Sequence, residues 1–106
     1  MINSSRVALA AAAIAFLSIP GGAQADTIRR ACLTSPNGGA SIQLCGCIQG
    51  VADLVLSSRD QRTAAKFFRS PDKAQEMKMS SSRSDARFWE KYSYFGAVAQ
   101  EQCAAS

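Results

Sequence analysis

The chain has 106 residues, with 12 Lys and Arg against 8 Asp and Glu, no histidine and four cysteines. A chain of this length has room for one domain rather than several. The lack of histidine excludes Ser-His-Asp and Cys-His catalysis, zinc sites of the HExxH type and an imidazole pH switch.

The first 25 residues have the layout of a secretory signal peptide. Val7–Ile19 is a run of 13 residues, all but one of them apolar, which falls short of the ~20 residues that span a bilayer. Pro20–Gly22 breaks this run, and Ala23–Ala25 supplies the small residues that signal peptidase accepts. We therefore expect residues 1–25 to be a cleaved signal peptide and residues 26–106 to be a single helical domain, periplasmic or secreted.

Five segments carry helix signals, and no alternating run of Val and Ile predicts a strand. Serine caps, a proline in a first turn and apolar stripes of helical period mark these segments. The first predicted helix is Thr27–Leu33, and the second is capped by Ser41 and runs to about Ser57. The third opens at Ser58 in a capping box and ends near Arg69. The fourth runs from Ser70 to about Met79, and Ser82 or Ser84 caps the last. The predicted fold is all-α, a small disulfide-stapled bundle of four or five short helices.

The cysteines are typical of a disulfide framework, because all four lie in the predicted domain and an even number in a short exported chain favours two bonds. In the second helix Cys45 and Cys47 project about 200° apart, so each reaches a different neighbour. The turn expected at Pro36–Gly39 brings Cys32 back towards the first helical turn, where Cys45 lies. The preferred pairing is Cys32 with Cys45 and Cys47 with Cys103, and the crossed pairing stays open.

Two alternatives remain for Cys45-Gly46-Cys47. Two thiols separated by one flexible glycine can close a strained, easily reduced ring, which would make Cys45 and Cys47 a redox pair. Thiolates in the same positions could bind Cu(I). A zinc site is disfavoured because zinc ligands are usually separated by two residues or more. We predict structural disulfides, with no metal and no cofactor.

Four basic residues share one face of the third predicted helix, with Ala64, Phe67 and Phe68 opposite. This pattern is typical of the solvated face of an amphipathic helix, and its alternative is a contact for an anionic partner. Residues 26–106 carry 11 basic and 8 acidic residues, a net charge of +3, so we expect no nucleic acid and do not favour contact with a membrane surface. The candidate anionic-partner face consists of Arg59, Arg62, Lys66 and Arg69.

The last predicted helix carries an aromatic stripe at Phe88, Trp89, Tyr92 and Phe95. Such spacing is typical of core packing, and a small-molecule pocket is the alternative. Cys103 falls on the same stripe, which supports its pairing with the central helix.

Several short strings extend along the predicted domain: Arg29–Cys32, Gly39–Ser41, Leu44–Gln49, Ala64–Phe68, Lys73–Glu76 and Phe88-Trp89. Together they resemble a family of small exported bacterial helical proteins with a CGC motif, whose members are often named arginine transporter. The resemblance covers nearly all of residues 26–106. Because this segment has no membrane span, the resemblance implies a solute binder or an accessory protein, not a permease.

The sequence contains no GxSxG, no glycine-rich phosphate loop and no metal–carboxylate motif. We therefore expect a non-enzymatic binding or accessory protein of the cell envelope, whose partner is an envelope protein or a small solute. An accessory binder of arginine or a similar solute is the alternative that the resemblance alone suggests.

Overall fold

The computed structural model describes residues 26–36 and 40–105 of the chain. These residues form five helices: α1 (Thr27–Leu33), α2 (Ile42–Val55), α3 (Ser58–Arg69), α4 (Pro71–Lys78) and α5 (Arg83–Cys103). The described residues contain no strand, and two disulfides join the helices, so the predicted all-α, disulfide-stapled bundle is confirmed. The predicted signal peptide at 1–25 and the tip of the predicted turn at 37–39 lie outside the described residues.

Serine hydroxyls cap the N-termini of α2 and α5. Ser41 Oγ accepts a hydrogen bond from the Leu44 N–H at 2.9 Å, as the sequence predicts. Ser82 Oγ accepts one from the Asp85 N–H at 3.2 Å, so Ser82 is the cap of α5 and Ser84 is not. Each such cap satisfies a backbone donor that a helix start leaves unpaired and contributes about 1 kcal/mol.

The start of α3 differs from the prediction by one residue. Ser57 Oγ, not Ser58 Oγ, accepts the capping hydrogen bond, from the Asp60 N–H at 3.1 Å. The predicted capping box at Ser58 is wrong because the Gln61 side chain is only 4% exposed and bonds to other partners in the interior. The end of α2 also differs from the prediction: it lies at Val55 rather than at about Ser57, because Leu56 is already extended.

The second helix is the centre of the bundle. It packs against α1 on one side and against α5 on the other, while α1 also packs on α3, and α4 lies against α3 and α5. This arrangement explains why α2 has apolar residues around more than half of its circumference. The buried core cluster consists of Ile28, Ala31, Val51, Ala52, Leu56, Ala64, Ala65, Phe67, Phe88, Phe95 and Cys103.

Tertiary contacts hold the first helix in place. α1 has only seven residues, and an isolated helix that short is unstable in water. It is held by the complete burial of Ile28 and by the near-complete burial of Ala31, which is 1% exposed. A disulfide and a hydrogen-bonded side-chain amide also attach α1 to α2.

Candidate functional site

Two disulfides attach the outer helices to α2. Cys32 at the end of α1 is bonded to Cys45, with an S–S distance of 2.05 Å and a separation of 13 residues. Cys47 is bonded to Cys103 at the end of α5, with an S–S distance of 2.03 Å and a separation of 56 residues. These are the two pairs that the sequence favours. Cys45 and Cys47 lie two residues apart on α2 and therefore face different neighbours.

The two disulfides differ in their access to solvent. Cys45 is fully buried and Cys32 is 4% exposed, so the α1–α2 bond lies in the interior. Cys103 is 3% exposed, but Cys47 is only half-buried. All four sulfurs are in disulfides. Copper ligation and thiol–disulfide exchange both start from a thiolate, so either would require one of these bonds to open first.

An open apolar groove runs beside the Cys47–Cys103 disulfide. Its volume is about 390 Å³, within the range of about 300–1,000 Å³ that is usual for ligand cavities. The N-terminal half of α2 forms one wall and the C-terminal turns of α5 form the other. The lining residues are Leu44, Ile48, Ala99, Gln100, Cys103 and Ala104, and none of them is charged. Because the disulfide ties the two walls together, their separation at this end of the bundle is fixed covalently.

A buried amide on α2 fixes the start of α1. Gln49 Oε1 accepts hydrogen bonds from the N–H groups of Ile28 and Arg29, at 2.8 and 2.9 Å. The Asp26 side chain, at the N-cap position, makes no capping hydrogen bond. Gln49 therefore supplies from another helix the acceptor that a local cap would provide.

The other end of the same amide enters a polar network between α2 and α3. Gln49 Nε2 donates to Asp53 Oδ1 at 2.8 Å and to Gln61 Oε1 at 2.9 Å. Gln61 Nε2 in turn donates to Asp53 Oδ1 at 3.1 Å and to the Leu56 carbonyl at 3.4 Å. The sequence does not predict this network, because Gln49 and Asp53 lie on the polar side of the helical wheel of α2, where the sequence indicates no partner on another helix. The one sequence feature that could have indicated the network is the presence of Gln49 and Gln61 in helices that are otherwise rich in buried apolar residues.

A second cleft, between α3, α4 and the start of α5, is charged. Its volume is about 380 Å³, and its lining includes two lysines and two carboxylates, Lys66, Lys73, Glu76 and Asp85. The ion pairs of the described residues lie elsewhere, between Arg29 and Asp26 and between Lys91 and Asp60. Both signs of charge therefore face one cleft without being joined to each other.

The candidate anionic-partner face is exposed along its whole length. All four of its residues, Arg59, Arg62, Lys66 and Arg69, are exposed on α3. The opposite face of that helix buries Ala64, Ala65 and Phe67, which agrees with the predicted amphipathic pattern.

The aromatic stripe of α5 packs against Phe67 of α3. The Phe67 ring meets Tyr92 edge-on at a centroid distance of 4.9 Å and Phe88 at 5.9 Å. Trp89 lies 6.4 Å from the same ring. The stripe thus fills core volume, and burial raises the pKa of the Tyr92 hydroxyl.

Fold and covalent framework define a small all-α protein with two disulfides, and none of its described helices is long and apolar enough to cross a membrane. In the described part of the chain, no group of three or more Cys, Asp or Glu side chains is placed to hold a metal ion. Comparison with protein-family models, with curated proteins and with solved structures finds no match to this chain.

Proposed function

We propose that the protein is an exported, non-enzymatic accessory protein of the cell envelope that binds apolar side chains of a partner protein in the groove between α2 and α5. The observation that carries this proposal is the groove itself, whose walls are tied together by the Cys47–Cys103 disulfide. A binding surface that is already formed loses little conformational freedom when the partner docks.

Export is supported by two independent features. Residues 1–25 carry the signal-peptide pattern, and structural disulfides persist mainly in oxidising compartments such as the periplasm. All four cysteines are bonded, which suits such a compartment and leaves no thiol for chemistry in the oxidised protein.

The chemistry of the groove favours an apolar partner over a charged solute. Leu44, Ile48 and Ala99 supply aliphatic surface, and among the described residues of the lining Gln100 has the one polar side chain. Placing a charge against such a surface would cost desolvation energy without a paired group to offset it. Its volume of about 390 Å³ accommodates a few aliphatic side chains of a docked segment.

Filling the groove tests the binding site. The probe is N-phenyl-1-naphthylamine, an uncharged dye that fluoresces in apolar sites. We expect the wild-type protein to bind it and Ala99→Trp to lower its affinity at least tenfold, because the indole occupies the groove. Ala97→Trp is the matched control on an exposed position of α5. Ala104→Trp closes the same groove from its exposed edge, should Ala99→Trp fail to fold. Equal dye binding by all four proteins would contradict the groove assignment.

Export is tested by expressing the full sequence in a bacterial host and fractionating the cells. We expect the protein in the periplasm or the medium, with Asp26 as its first residue by N-terminal sequencing. A protein that stays in the cytoplasm with residues 1–25 attached would contradict the exported role.

The charged cleft supports a second candidate, an accessory binder of arginine or a similar cationic solute. Glu76 and Asp85 could face the cationic groups of such a solute, while Lys66 and Lys73 could face its carboxylate. The test is isothermal titration with L-arginine. Binding that Glu76→Gln weakens and the exposed control Glu90→Gln leaves unchanged would support it. No heat up to millimolar arginine would exclude it.

A further inference from the structure

A straight row of positive charge marks the outer face of α3. Arg59, Arg62, Lys66 and Arg69 are spaced by three, four and three residues, so they fall within an arc of about 80° over a length of about 15 Å. We call these four residues the basic row. All four are exposed, and the buried side of α3 is turned away from them.

Among the described residues no ion pair involves the row, although Lys66 also lines the cleft that contains Glu76 and Asp85. Asp60, the acidic residue of α3, is bonded instead to Lys91 of α5, with an Nζ–Oδ2 distance of 2.8 Å. The other ion pair of the described residues joins Arg29 to Asp26. The three arginines are outside both that cleft and the ion pairs, and with Lys66 they can act together on a partner, since neighbouring members of the row lie within a Debye length of about 8 Å.

Helix stability does not explain the whole row. Cations near the C-terminus of a helix interact favourably with its dipole, which accounts for Lys66 and Arg69. Arg59 lies in the first turn of α3, where the dipole disfavours positive charge, and Arg62 lies beyond the reach of either helix end. The dipole therefore does not account for these two arginines.

The surroundings of the row favour a lipid surface over a protein. Exposed large apolar side chains occur at Leu33, Ile42, Leu54, Met79 and Tyr94, and none of them lies on α3. A stable protein interface needs a buried apolar or aromatic centre, whereas an anionic bilayer attracts basic residues by charge alone. We propose that the basic row docks the protein peripherally on anionic phospholipid, without insertion into the bilayer. This inference goes beyond the proposed function and does not use the groove. It departs from the sequence-based expectation because all four cations are exposed and outside the ion pairs of the described residues.

The expected strength follows from the number of charges. Each Lys or Arg near an anionic bilayer contributes about fivefold to the partition coefficient. Neutralising two of the four should therefore lower the partition coefficient about thirtyfold. The attraction should also fall steeply with salt, because exposed charges are screened.

The experiment is cosedimentation of the oxidised protein with vesicles of phosphatidylcholine containing about one third phosphatidylglycerol, a lipid that supplies the negative surface charge. Arg59→Gln with Arg62→Gln is compared with Arg83→Gln plus Arg87→Gln. The second pair removes the same charge from exposed positions of α5. We expect about a thirtyfold loss for the row variant and less than a threefold loss for the control. The row variant should keep the wild-type melting temperature or exceed it, because both residues are exposed and Arg59 is a cation in the first turn of the helix.

Three outcomes would overturn the proposal. Equal losses in both double variants would show that net charge, not the row, drives adsorption. Equal binding to vesicles of phosphatidylcholine alone would show that the attraction is not electrostatic. Binding to poly-L-glutamate with no binding to anionic vesicles would assign the row to an acidic polypeptide instead of a lipid surface.

Discussion

At the scale of the residue, the side-chain amide of Gln49 makes more hydrogen bonds than the other side chains of its polar network. It is 5% exposed, and its oxygen and nitrogen each make two hydrogen bonds, to α1 on one side and to Asp53 and Gln61 on the other. Such an amide is costly to replace, because the N–H of Ile28 and the side chain of Gln61 lose a hydrogen bond while remaining buried.

Gln49→Leu should therefore destabilise the protein strongly. The N–H groups of Ile28 and Arg29 would lose their acceptor, and an unsatisfied buried group costs about 1–3 kcal/mol. We expect a loss of at least about 2 kcal/mol and a fall in Tm of roughly 10 °C for a domain of this size. Gln43→Leu is the control, since Gln43 is exposed on the same helix. Thermal unfolding followed by circular dichroism makes the comparison, and equal Tm values for the two variants would contradict the role of the network.

Burial of the Tyr92 hydroxyl gives the stability a dependence on alkaline pH. Because burial raises the pKa of Tyr92 in the folded state, the unfolded chain loses this proton first, near pH 10. The folded state then binds more protons than the unfolded state, so the stabilisation is complete below about pH 10 and is lost as the pH rises through the folded pKa.

Tyr92→Phe should reduce this alkaline loss. The measurement is urea unfolding at about pH 8 and at about pH 11, on either side of the ordinary tyrosine pKa. We expect the difference in free energy of unfolding between the two pH values to be smaller in Tyr92→Phe than in the wild type. Tyr94→Phe, at a position 61% exposed, should retain the wild-type difference. The opposite order of the two variants would show that the buried hydroxyl is not responsible.

At the scale of the element, the N-terminus of α3 shows how a cap is chosen. Ser57 and Ser58 are chemically identical, and the capping-box pattern predicts Ser58. The choice depends on Gln61, which would complete a capping box at Ser58 but is bonded in the interior to the Leu56 carbonyl and to Asp53. Tertiary packing has thus moved the boundary by one residue.

This boundary can be measured with two serine variants. Ser57→Ala should lower the free energy of unfolding by about 1 kcal/mol, because it removes the acceptor of the Asp60 N–H. Ser58→Ala should change it by less than about 0.5 kcal/mol, since that residue is exposed and already helical. Urea unfolding of both variants tests this, and a larger effect at Ser58 would restore the cap that the sequence predicts.

Local signals in the sequence are enough to predict the helices. Three examples are the cap at Ser41, the proline that begins α4 and the apolar stripe of α5. Each depends on residues within one or two helical turns, so the sequence of that segment is enough to predict it. The amide of Gln49 and the groove between Leu44 and Ala99 depend on how helices distant in sequence are placed together. The periodicity of residues within one helix does not predict such contacts between helices.

At the scale of the whole molecule, two disulfides of different accessibility hold three helices together. The α1–α2 bond has both sulfurs in the interior, while Cys47 of the α2–α5 bond is half-buried. Thiol–disulfide exchange needs access of the attacking reagent to a sulfur. The bond at the groove is therefore the one that a reductant reaches without prior unfolding.

Graded reduction should open the two bonds in a fixed order. With increasing concentrations of a phosphine reductant at neutral pH, followed by alkylation, we expect labels first on Cys47 and Cys103. Labels on Cys32 and Cys45 should follow only near the concentration at which helicity is lost. Intact mass and peptide mass spectrometry follow the labels. Labelling of Cys32 before Cys103 would contradict the burial of the α1–α2 bond.

Cys45 and Cys47 belong to a structural framework in which each is bonded to a different helix. The decisive measurement is the disulfide map of the oxidised protein. Trypsin leaves Cys32, Cys45 and Cys47 together in peptide 31–59 and Cys103 in peptide 92–106. Fragmentation of the linked pair between Cys45 and Cys47 then separates the connectivities. We expect bonds Cys32–Cys45 and Cys47–Cys103, with no free thiol. A bond between Cys45 and Cys47, or two free thiols at these positions, would contradict this framework and favour thiol–disulfide chemistry or Cu(I) binding.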